Sequence, residues 1–196
     1  MGHMSALDAF FTITEKEFSS FLKEIRREEL QGAAQLIWDF QADGGRLHVT
    51  GIGKPAHVAS YVASLISSTG TPTSFLHGTE AVHGSCGQLA PGDVVICISN
   101  SGETAEMKAT AMAVRNNACS IIAVTGNSDS WLARFADTHI FAGIQQEGGP
   151  LNRAPRMSIL AETLALQALS IVLQEKRAIS PQEYVQRHPG GSLGAL

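Results

Sequence analysis

The sequence predicts an α/β domain in which a five-stranded parallel sheet is covered by helices on both faces, and three observations carry that prediction. Short strand-like runs recur at residues 46–50, 72–76, 93–98, 120–124 and 138–142, separated by stretches with helical features. Runs such as Val94-Val95-Ile96-Cys97-Ile98 are apolar at consecutive positions, the mark of strands buried on both faces. Glycine-bearing turns close the first, third and fourth runs, at 51–54, 99–104 and 125–127. In a parallel sheet those turns all lie at the carboxyl ends of strands, so they gather on the rim where ligands bind.

The elements follow in order. Residues 5–41 read as one or two leading helices: Phe10, Phe11, Ile13, Phe18, Phe21, Leu22 and Ile25, then Leu30, Ala34, Ile37 and Trp38, recur at helical spacing. Lys23, Arg26, Arg27, Glu28 and Glu29 form a solvated interruption, and Ala42-Asp43-Gly44-Gly45 stops the pattern. A helix over 55–68 puts Val58, Tyr61, Val62, Leu65 and Ile66 on one face, with Pro55 suited to its first position. Further helices are expected over about 103–117 and 128–136. Residues 157–176 form one long helix, apolar almost all round, which places it in a core or a subunit interface. Neither an internal repeat nor a low-complexity segment is present.

Composition narrows the class. With 196 residues the chain is long enough for one domain with a full core. A net charge of −4 and the lack of a basic run argue against a nucleic-acid partner. No stretch of about 18 uncharged apolar residues predicts a membrane span, and no secretory signal is visible, so a cytoplasmic location is expected. Cys86, Cys97 and Cys119 are odd in number and lack a metal spacing; Cys97 and Cys119 read as buried reduced thiols. Met1-Gly2-His3 has the character of a cloning scar, leaving 4–196 as a single domain.

The richest segment is Ile98-Ser99-Asn100-Ser101-Gly102-Glu103-Thr104-Ala105-Glu106. It joins a strand end to a helix start, where free backbone N–H groups and the positive end of the helix dipole make an anion site. Ser99, Ser101 and Thr104 add hydroxyl donors and Gly102 lets the backbone approach closely, a cup suited to a phosphate monoester; an ordinary helix cap uses the same residue types. Gly51-Ile52-Gly53-Lys54 opens the preceding helix and puts Lys54 at the rim. His77, Glu80 and His83 share a loop without a firm metal template, and a polar loop with scattered histidines explains them as well. Glu103 and Glu106 favour a helix N-terminus, and Glu106 falls one turn in, toward the cup. Glu147 sits on an irregular loop, where a lone carboxylate is usually solvated, and His188-Pro189-Gly190-Gly191 lies in a tail that needs anchoring to be ordered.

Taken together, these motifs resemble the sugar isomerase (SIS) family, within it the D-arabinose 5-phosphate isomerases, over about residues 46–194. The resemblance rests on Gly51-x-Gly53-Lys54, Ser68-Thr69-Gly70-Thr71-Pro72, Glu80-Ala81-x-His83-Gly84, Ser99-Asn100-Ser101-Gly102-Glu103, Glu147-x-x-Pro150-Leu151-x-x-Ala154-Pro155 and His188-Pro189-Gly190-Gly191, in family order and spacing. It implies a three-layer flavodoxin-like sandwich with N-terminal helices added, and phosphate held by Gly53, Ser99, Asn100, Ser101 and Thr104. It implies that Lys54, Glu106, Glu147 and His188, with His83 nearby, are the active-site side chains, drawn from more than one subunit of a homotetramer. It implies interconversion of D-arabinose 5-phosphate and D-ribulose 5-phosphate without an organic cofactor or a catalytic metal, feeding synthesis of 3-deoxy-D-manno-octulosonate in a Gram-negative bacterium. The histidines could still bind an inhibitory zinc. A chain ending at Leu196 is expected to lack the regulatory CBS domains that many relatives carry.

Three departures bear on specificity: Pro55-Ala56 in place of Ser-Gly, Ser85-Cys86 in place of Asp-Leu, and Arg156-Met157-Ser158-Ile159 in place of a Thr/Ser run. They keep two alternatives open, an isomerase of another sugar phosphate (6-phospho-3-hexulose type) and a non-catalytic sugar-phosphate-binding module.

Overall fold

The computed structural model describes residues 5–190. Two helices lead, α1 (Ala6–Glu24) and α2 (Arg27–Ala42). Then come β1 (Leu47–Gly51), α3 (Lys54–Ser68), β2 (Thr73–Phe75), the short α4 (Gly78–Ala81), a 3-10 turn (Ser85–Gln88) and β3 (Val94–Ile98). The chain continues through α5 (Ala105–Asn116), β4 (Ser120–Thr125), α6 (Trp131–Phe135), β5 (Thr138–Phe141), α7 (Met157–Arg177) and α8 (Pro181–Arg187). All five expected strands are present and every pairing is parallel, in the order β2-β1-β3-β4-β5.

Strand pleating divides the core in two. Val49, Ile96, Val124 and Ile140 point to the face covered by α1, α2, α3 and α7. Val95, Cys97, Ile121 and Ala123 point to the other face, with Leu76, Met107, Ala111 and Leu132 from the α4–α6 side. The result is the expected three-layer sandwich, with the central strands β1, β3 and β4 buried on both sides because each side meets helices, and the edge strands β2 and β5 more open. Cys86, Cys97 and Cys119 are all buried and unpaired.

Three local expectations change. The helix expected from 103 starts at Ala105, with Thr104 as its N-cap, because Glu103 turns away to accept the Trp131 N–H at 2.7 Å and to pair with Lys108 at 2.5 Å. The helix expected over 128–136 is only α6, since Ser130 caps it by accepting the Ala133 N–H and 128–130 lie outside it. The tail carries a helix, α8, begun by Ser180 and Glu183 capping each other's backbone N–H, with Pro181 in its first turn.

α7 is long and apolar enough by length and composition to cross a membrane, with half of its most apolar window buried inside the fold. Ala161, Ala165, Leu166, Leu169 and Leu173 face the core, while Leu160 and Ile171 are exposed on the outer side. At the amino-terminal pole of the sheet, Asp93 ties β1 to β3. Its Oδ1 accepts the Arg46 N–H at 2.8 Å, and its Oδ2 accepts the Ala90 N–H and the Arg46 guanidinium, each at 2.8 Å. His48, 2 % exposed, places Nε2 3.1 Å from the same Oδ2.

Candidate active site

The strand order reverses direction at one place. The chain leaves β1 toward β2 on one side and leaves β3 toward β4 on the other, opening a crevice above the carboxyl ends of β1 and β3, where sheets of this order bind ligands. An open pocket of about 270 Å³ lies there, lined by Ile52, Pro55, Ile98, Ser99, Asn100, Ser101 and Thr104. The expected cup is therefore a pocket, and its apolar walls are Ile52, Ile98 and Pro55, the last being one of the departures that bear on specificity.

Its floor is a closed turn. The Gly102 N–H donates to the Ser99 carbonyl at 3.0 Å and the Glu103 N–H to Ser101 Oγ at 3.2 Å, while Ser99 Oγ and Thr104 Oγ1 stand 3.4 Å apart. Gly102 has φ of +64°, and a Cβ there would collide with the Ser130 side chain. The turn after β4 supports this floor from the side: the Gly126 N–H donates to the Asn100 carbonyl at 2.8 Å, and a Cβ on Gly126 would fall 2.5 Å from Asn100 Oδ1.

Two helices aim at the cup. The N-caps of α3 and α5 are Gly53, with φ of +66°, and Thr104, and neither makes a side-chain cap bond. At α3 Pro55 has no N–H and the Ala56 N–H donates to the Gly53 carbonyl at 3.1 Å, so the free donors there are few, but no side chain caps either helix and both dipoles are positive at the pocket. Lys54 is the first residue of α3, beside Pro55 of the pocket wall; it is exposed and has no hydrogen-bond or ion-pair partner among the described residues. Glu106 lies in the first turn of α5, also exposed and with its carboxylate unengaged among the described residues. Ser99, Asn100, Ser101 and Thr104 therefore line one pocket, with Gly53 and Lys54 next to its wall residue Pro55 and Glu106 two residues past Thr104.

The remaining residues stand apart in one chain. His83 is exposed just past α4. His77 caps α4, its Nδ1 accepting the Glu80 N–H at 3.4 Å, and no cluster of three His, Cys, Asp or Glu side chains suited to a metal occurs among the described residues. Glu147 is not a solvated loop carboxylate. Its Oε2 accepts the N–H groups of Arg156 at 2.6 Å and Ser158 at 3.2 Å, and its Oε1 accepts the Ser158 hydroxyl at 2.5 Å. It thereby caps α7, whose own N-cap residue Arg156 supplies no side-chain bond. The Arg156 guanidinium folds back over Gly149 and the Ala154 carbonyl.

His188 follows α8, stacked on Tyr184 with ring centroids 4.1 Å apart and Nδ1 2.8 Å from the Tyr184 carbonyl. α8 packs beside Gly70, just beyond the C-terminal end of α3, where a Cβ would meet Ile179 and approach Arg187. The 15-residue α3 separates that end from Lys54 by about 20 Å. His188 therefore does not reach the cup of its own chain. The motif it opens continues from Gly191 outside the described residues.

Comparisons with known proteins fit this geometry. The SIS domain family matches residues 41–172. The chain is 40 % identical over 153 residues to the arabinose 5-phosphate isomerase KdsD of Pseudomonas aeruginosa and 39 % identical over 150 residues to that of Escherichia coli K12. These alignments cover 78 % and 76 % of this chain but 47 % and 46 % of the relatives, so the chain spans about half the length of the curated relatives it matches. Among solved structures, the c3406 protein of E. coli CFT073 in complex with arabinose 5-phosphate superposes with a TM-score of 0.83 at 33 % identity, covering 93 % of this chain and 95 % of that one. A Bacteroides fragilis protein described as a candidate phosphosugar isomerase involved in capsule formation superposes at 0.88 with 31 % identity, covering 98 % and 100 %. With its motifs, sheet order and rim pocket all in register, the chain belongs to the SIS domain family.

Proposed function

We propose that the protein is an aldose–ketose isomerase of phosphosugars, and that its substrate pair is D-arabinose 5-phosphate and D-ribulose 5-phosphate. The observation that carries this reading is the cup between β1 and β3, where two helix N-termini without side-chain caps and three hydroxyls meet at one cavity, with Lys54 and Glu106 in the first turns of those helices. The relatives named arabinose 5-phosphate isomerase and the neighbour solved with that sugar phosphate support the choice of sugar.

In this reading the phosphate sits on Ser99, Ser101, Thr104 and the backbone at Gly53 and Asn100, anchoring the sugar by the end remote from the reaction. Isomerisation then moves one proton between C1 and C2 through an enediolate, and another between the two oxygens. Glu106 is the carboxylate of the same chain placed to take the carbon proton, because its oxygens are not committed elsewhere. Lys54 neutralises the developing enediolate oxygen. Glu147, His188 and His83 complete the site when subunits assemble, since in one chain His188 lies at the far end of α3. The exposed Leu160 and Ile171 of α7 and Tyr61 of α3 are apolar surface for such contacts, and a tetramer follows the family pattern. We take the domain as 4–196, and three unpaired thiols suit a reducing, cytoplasmic setting.

The test is turnover of D-arabinose 5-phosphate beside ribose 5-phosphate and glucose 6-phosphate. Selective conversion of the arabinose compound supports the proposal. Binding of a sugar phosphate without conversion of any of the three leaves a sensor-like module or a different sugar, with Arg156 the first residue to replace.

A further inference from the structure

One titratable group has no place in that scheme. Glu162, in the second turn of α7, is 0 % exposed, and neither of its carboxyl oxygens has a hydrogen-bond partner among the described residues. It stands four residues after Ser158, one turn along the same side of the helix, and Ser158 is the residue that grips Glu147 through both its N–H and its hydroxyl. Two carboxyl groups thus stand near one another at the start of α7, Glu147 held on Ser158 and Glu162 one turn further along.

The charges around Glu162 offer no relief. From the loop before α7 comes Glu147, whose charge acts on it directly. From α1, Glu17 is buried with Oε2 accepting the Gln145 N–H, and from α2, Glu29 Oε2 accepts the Phe141 N–H. From α3, Lys54 and His57 are exposed, and Tyr61 bonds Gln167. Arg153 and Arg156 are exposed on the loop. A buried carboxyl without a donor or a cation is a net cost to folding that an apolar residue would lessen, so packing does not account for it.

We propose that Glu162 is a positioning residue: by remaining uncharged beneath Glu147 it limits the carboxyl pair at the start of α7 to a single negative charge, so that a dianionic sugar phosphate is held beside Glu147. Burial first, and the Glu147 charge second, push the Glu162 acid up to about 8. Above that pH the pair carries two charges and repels the substrate. Glu162 transfers no proton to the sugar. This inference rests on the isomerase reading for its effect on turnover, and on the geometry alone for its charge state.

The experiment is a pH series on wild type and Glu162→Gln, reading kcat/KM for D-arabinose 5-phosphate and, separately, the thermal midpoint. Wild-type kcat/KM should fall about tenfold as pH passes through about 8 and then level off, while the glutamine variant stays within about threefold of wild type at pH 7 and lacks that step. Superimposable profiles overturn the proposal. If wild type turns over none of the sugars, the isomerase reading fails, and the thermal midpoints still decide. Burying the acid costs least below its unfolded value near 4.5, and the cost grows as pH rises to about 8, because the folded chain must keep a proton that the unfolded chain releases. Wild type should therefore lose midpoint relative to Glu162→Gln across that window, and parallel curves overturn the proposal. Should the variant not fold, the infrared band of a protonated carboxylic acid in wild type at pH 7 supports the proposal, and its absence overturns it.

Discussion

Glu147 is both a candidate active-site carboxylate and the cap of α7, and Glu147→Gln separates the two roles. The carboxylate accepts three hydrogen bonds from the start of a 21-residue helix that packs on α2 and α3. A glutamine keeps one acceptor oxygen and turns an NH2 group toward donors, losing at least one charge-assisted bond, worth about 1.5–3 kcal/mol. It also removes the anion at the helix N-terminus, worth about 0.3–1 kcal/mol. Because Glu147 is only half-buried, about 2 kcal/mol in all is expected, which lowers the thermal midpoint of a chain this size by about 4–8 °C. Circular dichroism melts at pH 7 measure it directly. Ser158→Ala, which keeps the backbone bonds, should cost about 1 kcal/mol, and the double variant should cost less than the sum of the two. A Glu147→Gln midpoint within about 1 °C of wild type would refute the capping geometry. Loss of activity in the variant counts toward chemistry only when read below its own melt.

Gly102→Ala forces a side chain into positive φ and against Ser130, so it should raise KM at least about tenfold by opening the phosphate cup, with the midpoint down by about 1–3 kcal/mol equivalent. If His188 serves a neighbouring chain, mixing inactive Lys54→Met with inactive His188→Ala subunits should restore part of the turnover; no recovery in verified mixed oligomers contradicts the sharing of sites. His48 is buried neutral, desolvation lowering its pKa more than Asp93 raises it, and His139 is lowered by burial too. The unfolded chain therefore takes up those protons first, so stability should be complete above about pH 6.5 and fall as pH drops below it; a melt flat from pH 5 to 7 contradicts this. Burial pushes the Asp93 carboxyl up, but the bonds from Arg46, Ala90 and His48 outweigh it and hold the acid below the ordinary range. Asp93→Asn should then cost about 2–4 kcal/mol in a urea melt, by leaving donors at the amino-terminal pole unmatched.

Much of this was legible in the residues themselves. The runs around Val49, Ile96 and Ile122 are buried on both faces, so consecutive apolar residues located the central strands to within a residue or two, while the edge strands β2 and β5 were placed by the alternation with helices. The cup was legible because Ser, Gly and Thr at a strand-to-helix junction have a local physical meaning, independent of distant contacts. α8 carried its signal too: Ser180 with Glu183 three residues on, and Pro181 between, is a capping box that hydrophobic spacing alone overlooks. Other features were not legible because they are long-range. The start of α5 moved to Ala105 because Glu103 found Trp131, 28 residues away. Asp93 and Arg46 meet from 47 residues apart, and Glu147 finds the head of α7 across a loop. Glu162 lay hidden in an apolar helix, where a single acidic residue reads as a break in the stripe until its burial and its vacant oxygens are seen.

The most direct measurement is to incubate the protein with D-arabinose 5-phosphate in D2O and follow C1 and C2 by NMR. Formation of D-ribulose 5-phosphate with solvent deuterium appearing at the carbon that exchanges its proton is the result expected of an enediolate isomerase, and Glu106→Gln should abolish both signals while sugar-phosphate binding persists. Tight binding of the sugar with no ketose formed and no deuterium incorporated would contradict the isomerase reading.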